Sequence, residues 1–167
     1  MTNAIDRALE FGRKRLELLE RIQSPEDWEK LWPAAAHEFP FEWGSCWKQC
    51  TEYAVEDFAA EVGFFFDVLG LPVNALAPDY AMFTSPDKAF FFAVVPASEE
   101  KPAIHDGSVN LGFMVQEIER VAHLLAARGV DFHKPVTAHA EGSPLHQCAF
   151  RSPNGIEVML WGMREQD

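Results

Sequence analysis

An α+β fold of two βαβββ modules, preceded by a helical extension, is what this 167-residue sequence predicts. Three observations lead there. A strand–helix–strands order begins near Trp47 and runs twice along the chain. Both helical segments in it carry an apolar stripe and stop at a glycine. Residues 1–46, by contrast, read as charged helix and aromatic connector. The expected division is a helical arm over 1–46 and a main domain over 47–167, with modules at about 47–97 and 108–162.

In the arm, AIDRALEFGRKRLELLERIQ places Ile5, Leu9, Leu16 and Leu19 on one helical stripe, with Gly12 in the gap. SPEDWEKLW opens a second helix, with Ser24 as N-cap, Pro25 at the first helical position and Asp27 as half of a capping box. Trp28, Trp32, Phe39, Phe41, Trp43 and Trp47 are too much aromatic surface to leave in water, so the arm is expected to dock on the main domain or on a second subunit.

The first module starts with the strand CWKQCTEYAV and the helix EDFAAEVGFFFDVLG. Phe58, Val62, Phe65 and Leu69 share one face of that helix, and Gly70 stops it. LPVNAL, YAMFTS and KAFFFAVVPA follow as short strands separated by turns. A charged, proline-containing linker covers 98–107. The second module repeats the order with SVNLGFMV as strand and QEIERVAHLLAARG as helix. The inner face of that helix is Ile118, Val121, Ala122 and Leu125, and Gly129 ends it. VDFHKPVTA, HQCAFRS and GIEVMLWG complete the module as strands. Ser152-Pro153-Asn154-Gly155 is a turn, with Asn-Gly where positive φ is tolerated.

Composition narrows the function. Apolar residues make up 48% and aromatics 13%, which are globular values. Apolar runs such as 90–96 are too short to span a bilayer, and the N-terminus has no signal-peptide pattern. Three cysteines form no disulfide framework, so a reducing cytoplasm is expected. A net charge of −12 opposes nucleic acid as partner. It keeps the protein soluble, and it would attract a cationic ligand.

Two stretches carry a family signature. YAVEDFAAEVGFFFDVLGLPV resembles the opening of the vicinal oxygen chelate superfamily, which includes glyoxalases, extradiol dioxygenases and bleomycin-resistance proteins, with Val55, Asp57, Phe64-Phe65 and Leu69-Gly70-Leu71 as the matching positions. AFRSPNGIEVMLW is similar to the family's closing segment. The resemblance covers about 47–162 and implies a curved eight-stranded mixed sheet around a cavity. In metal-dependent members the ligands stand on the first and fourth strand of each module. The resemblance puts Cys50, Asn110, Met159 and an apolar residue within 90–94 at those places. A thiol, an amide, a thioether and a hydrocarbon do not make a site for a hard or borderline divalent ion. No metal and no other cofactor is therefore expected.

If Cys50 faces the cavity, strand alternation brings Glu52 and Ala54 with it. Likewise Asn110 brings Gly112 and Met114, and Met159 brings Glu157 and Trp161. Phe92, in the Phe90-Phe91-Phe92 run, is expected to add an aromatic wall. The expected ligand-binding set is thus Cys50, Glu52, Phe92, Asn110, Met114, Glu157, Met159 and Trp161, with no catalytic residue assigned. Apolar walls would raise the pKa of Glu52 or Glu157; both would otherwise be solvated strand-end residues. His139, His146 and Cys148 are the residues from which a relocated metal site could be built.

The preferred reading is a metal-independent binder of a cationic or aromatic small molecule, working as a homodimer as the resemblance implies. The alternative is a metal-dependent lyase, epimerase or dioxygenase with relocated ligands. The glyoxalase branch also carries an Arg where this chain has Ala54, which weighs against that activity. A metal-independent enzyme using Glu52 or Glu157 as base, and a protein-interaction module built on the arm, stay open.

Overall fold

Short runs of β-branched and aromatic residues, cut by Pro, Gly and Asp turns, form eight strands in the computed structural model. The structure describes residues 49–163 together with 17, 21, 23, 24, 26 and 27. The chain divides into two compact units, Met1–Trp43 and Gly44–Asp167. In the first unit, Asp27 Oδ2 accepts the backbone N–H groups of Ser24 and Gln23, each at 3.1 Å. This is the reach-back half of the capping box expected at that helix start. The rest of the arm, with its apolar stripe and aromatic connector, lies outside the described residues.

In the second unit, β1 (Thr51–Val55), β2 (Val73–Ala77), β3 (Tyr80–Thr84) and β4 (Phe91–Pro96) form one sheet in the order β1-β4-β3-β2. The strands β5 (Asn110–Val115), β6 (Lys134–Ala138), β7 (Leu145–Arg151) and β8 (Glu157–Met163) repeat that order as β5-β8-β7-β6. In each sheet the first strand runs parallel to the last and the other pairs are antiparallel. The two βαβββ modules are therefore present, and their eight strands are divided into two four-stranded sheets. The sheets do not close into a barrel. Edge strands β1 and β5 flank a common cavity instead of sharing a ladder.

Helix α1 (Phe58–Gly63) starts at Asp57, whose Oδ1 accepts the Ala60 N–H at 2.9 Å. It then widens into a π-helical turn over Phe64–Val68, closed by Leu69 N–H to Phe64 C=O at 3.0 Å. Sequence periodicity predicts one uniform helix here; in the structure its last turn is wider. Adjacent residues of that turn serve different sheets. Phe65 packs on Phe92 and Phe83 of the first sheet, at ring distances of 4.9 and 5.5 Å. Phe64 meets Phe150 of β7 at 6.1 Å.

Helix α2 (Ile118–Ala127) buries Ile118, Ala122 and Leu125, as its stripe predicts. It ends in a Schellman pair, Gly129 N–H to Ala126 C=O and Val130 N–H to Leu125 C=O, both 3.0 Å. Gly129 holds φ at +90°, a conformation that glycine adopts without strain. One hydrophobic core runs through both sheets. No helix among the described residues is long and apolar enough to cross a membrane.

The Ser152–Gly155 turn does more than reverse the chain. Asn154 Oδ1 accepts the Asp57 N–H at 2.8 Å, and its Nδ2 donates to Asp57 C=O at 2.9 Å and to Glu61 Oε2 at 2.7 Å. Its backbone N–H also donates to Glu61 Oε2, at 3.0 Å. Glu61 is fully buried, so this turn of the second module solvates a carboxyl on the first module's helix. Asn154→Ala should lower the unfolding free energy by about 2 kcal/mol, because it strands the Asp57 amide and removes a donor from a buried carboxyl. Urea denaturation read by tryptophan fluorescence checks this; a loss below about 0.5 kcal/mol would show the tie to be incidental.

Candidate ligand-binding site

Strand alternation splits the second sheet into two faces. Leu111, Phe113 and Val115 of β5, with Val158 and Leu160 of β8, belong to the core. The opposite phase carries Asn110, Gly112 and Met114, register partners of Glu157, Met159 and Trp161. Next along the sheet, β7 contributes Arg151, Ala149 and Gln147, paired with the same three β8 residues. Five expected site residues, Asn110, Met114, Glu157, Met159 and Trp161, thus share one face. That face is open: Met114 is 74% exposed, and Met159 and Trp161 are half-buried. A Cβ built on Gly112 would lie 3.8 Å from the Trp161 indole nitrogen, so the indole leans over that glycine. The His139 ring meets Trp161 edge-on at 4.9 Å. A cavity of about 410 Å³ lies elsewhere, but on this face Met159, Ala149, Gln147, Thr137, Lys134 and His133 line one of about 320 Å³.

Glu157 closes one end of the face and is 8% exposed. Its Oε1 meets His133 Nε2 at 3.1 Å and Lys134 Nζ at 3.2 Å, and its Oε2 accepts from Arg151 Nε at 3.3 Å. Arg151 also reaches Asp106 Oδ2 at 2.6 Å. Burial works to raise the Glu157 pKa. The hydrogen bonds from Lys134, Arg151 and His133 outweigh it and hold the carboxyl below the ordinary glutamate value. The sequence-based expectation of a raised pKa at this residue is corrected on this point. So is that of a solvated strand end. The neutralising residues come from β6, β7 and the residue before β6, positions that only the register brings together.

Of the other three expected residues, Glu52 and Phe92 lie on the first sheet and Cys50 directly precedes β1. Phe92 is paired with Thr51, and Glu52 with Ala93, so Phe92 and Glu52 occupy opposite faces. Phe92 is in the core, 3% exposed, against Phe65, Phe83 and Tyr53. It does not join the face that holds Met159. It borders the larger cavity, where Thr51, Tyr53, Phe90, Leu111 and Phe113 also lie between the edges of the two sheets. Of these residues only Phe92 belongs to the set expected from the sequence; Thr51, Tyr53, Leu111 and Phe113 stand on the phase opposite Glu52 and Asn110. Glu52 is ion-paired with Lys101. Burial raises the Cys50 thiol pKa, against a lowering hydrogen bond from Tyr80, and the Glu52 carboxylate adds to the rise. A thiol held in its protonated form is a poor nucleophile.

The metal that the fold family implies does not fit these residues. Cys50, Asn110 and Met159 offer one thiol, one amide and one thioether. The fourth strand offers Phe91, Ala93 and Val95 on the phase of Glu52. Among the described residues no three of His, Cys, Asp or Glu are grouped to hold an ion. The relocated set is not assembled either. His146 Nδ1 lies 3.1 Å from Pro144 C=O, and Cys148 points into the core, where burial pushes its thiol up to about 11.

Comparison with known proteins agrees with this fold. The model of the Glyoxalase/Bleomycin resistance protein/Dioxygenase superfamily matches residues 49–160. A glyoxalase/bleomycin resistance protein/dioxygenase from Nocardioides superimposes with a TM-score of 0.58 at 19% identity, over 76% of this chain and 88% of that one. TnmS3, an antibiotic binding protein from Streptomyces sp. CB03234, gives 0.57 at 18% identity, over 69% and 93%. Lactoylglutathione lyase from Agrobacterium tumefaciens gives 0.55 at 15% identity, over 68% and 90%. At these identities the structures share the fold. No curated protein matches the sequence significantly.

The Glu157 cluster has a pH signature. The folded-state pKa lies below the ordinary value of 4.5, so its stabilisation is complete above that value and is lost as pH falls through the folded pKa. Glu157→Gln should cost about 2 kcal/mol at neutral pH. The gap to wild type should shrink as the pH drops below about 4.5. Urea titrations across that range check both, and a gap independent of pH would show that the charge is not what stabilises.

Proposed function

The chain belongs to the Glyoxalase/Bleomycin resistance protein/Dioxygenase superfamily, and we propose that within it this protein binds a small organic molecule without a metal. The observation that carries the reading is the donor set. Every position from which the family would draw a ligand holds a residue unsuited to a catalytic divalent ion. What those strands present instead is an apolar and aromatic surface of Met114, Met159 and Trp161 beside a cavity of about 320 Å³. That size suits a compact organic ligand.

Two features favour binding over metal-independent catalysis. Glu157 has both oxygens engaged and a lowered pKa, which makes it a weak base. Glu52 is paired with Lys101. Neither carboxylate therefore offers a free negative charge to a cationic ligand, and the aromatic part of the expectation is the part carried forward. The reading further takes the protein as a cytoplasmic homodimer, whose second copy would shield the exposed Met114 and Met163 and add an outer wall to the cleft.

Elemental mass spectrometry of untagged protein should find less than about 0.1 mole of transition metal per chain, and titration with Zn²⁺, Ni²⁺ or Mn²⁺ should produce no stoichiometric binding heat. One mole of tightly held metal would overturn the reading in favour of a lyase, epimerase or dioxygenase. Sedimentation velocity should give twice the chain mass, and a monomer at micromolar concentration would remove the shared cleft.

A further inference from the structure

We propose that the ligand of the open face is an organic anion, its apolar body on Met159 and Trp161 and its negative group at Lys134. This rests on the reading of that face as a ligand site and names the class of molecule. The chain has 14 Lys and Arg against 26 Asp and Glu, yet this small region of sheet gathers two of those cations and a histidine against the two carboxylates of Glu157 and Asp106. His133, Lys134 and Arg151 meet there around Glu157. His133 and Lys134 line the cavity. Glu157 and Asp106, the carboxylates of the cluster, do not.

The donor inventory points the same way. Lys134 spends one N–H on Glu157 Oε1, and its side chain is 59% exposed, which leaves two N–H groups at the cavity mouth. Beside it stand the Thr137 hydroxyl and the Gln147 amide, neither hydrogen-bonded among the described residues. The polar side chains of the lining are thus the Lys134 ammonium, the His133 imidazole, the Thr137 hydroxyl, the Gln147 amide and the Cys148 thiol, with no carboxylate among them; ammonium, hydroxyl and amide can each donate. A carboxylate or phosphate can accept from several of these at once. A cationic group would meet the Lys134 charge directly. Glu157 is a positioning residue in this arrangement: it fixes the two basic side chains from behind and touches no ligand atom.

The floor of the cavity supplies the other half of the ligand's chemistry. Met159 and Ala149 are register partners at its base, and Trp161 continues the apolar surface toward Met114. A flat aromatic ring laid over Met159 would place a substituent at its edge near Lys134, two strands away across β7.

Three probes of one shape and different charge test this: naphthoate, naphthamide and a naphthylmethylammonium cation. Binding is followed by calorimetry at low ionic strength and by NMR of the methyl-labelled methionines, in the full chain. We expect naphthoate to bind about fivefold tighter than naphthamide, the cation to bind weakest, and the Met159 resonance to shift. Lys134→Gln should bring naphthoate down to the naphthamide level and leave naphthamide unchanged, while Lys134→Arg keeps the preference. Added salt should erase it in wild type. If naphthamide or the cation binds as tightly as naphthoate and still shifts Met159, the anionic assignment is overturned and the face stands as a ligand site. If no probe shifts Met159, the ligand-site reading falls with it.

Discussion

The edge-on contact of Phe65 with Phe92 and that of Phe64 with Phe150 tie both sheets to one short helix. Two adjacent residues do this from the widened turn over Phe64–Val68. Successive side chains leave a helix about 100° apart, so neighbouring rings can meet different sheets. Through them the core is continuous across the modules. The Asn154 amide locks the same helix from the other side, through Asp57 and the buried Glu61. The helix is short, so its stability comes from these tertiary contacts and not from propensity.

That arrangement decides which surfaces are left for function. With one face of each sheet committed to the shared core, that phase meets solvent in the cavity between β1 and β5, and the opposite phase forms the outer face of each sheet. On the first sheet that outer phase buries Met82 and Ala93 and leaves Glu52 at the surface, paired with Lys101. On the second it is open along Met114, Trp161 and Met159. The proposed site lies where two modules of equal topology differ.

Charge on the open face is arranged by one buried carboxylate. Glu157 collects Lys134, His133 and Arg151 and engages both of its own oxygens. An acidic residue in a pocket looks from sequence like a base or a cation receptor. Here its neighbours invert that meaning, because a carboxylate that already accepts from three donors is a weak base and a weak receptor for a cation. The same logic removes Glu52, through Lys101.

Sequence by itself determined the class of fold, the two modules, the helix stops at Gly70 and Gly129, and the shared phase of Asn110, Met114, Glu157, Met159 and Trp161. Periodicity, turn residues and strand alternation are local properties, readable along the chain. Only the tertiary structure decided that Phe92 belongs to the core, that Glu61 is buried, and that Glu157 is ringed by donors. It also decided that β1 and β5 flank a cavity instead of pairing. These outcomes depend on which strand lies beside which, and on residues 23 to 97 positions apart meeting in space. Alternation tells which side chains share a face, but not which face is covered or what charge stands opposite, because both are set by partners that the local sequence does not contain.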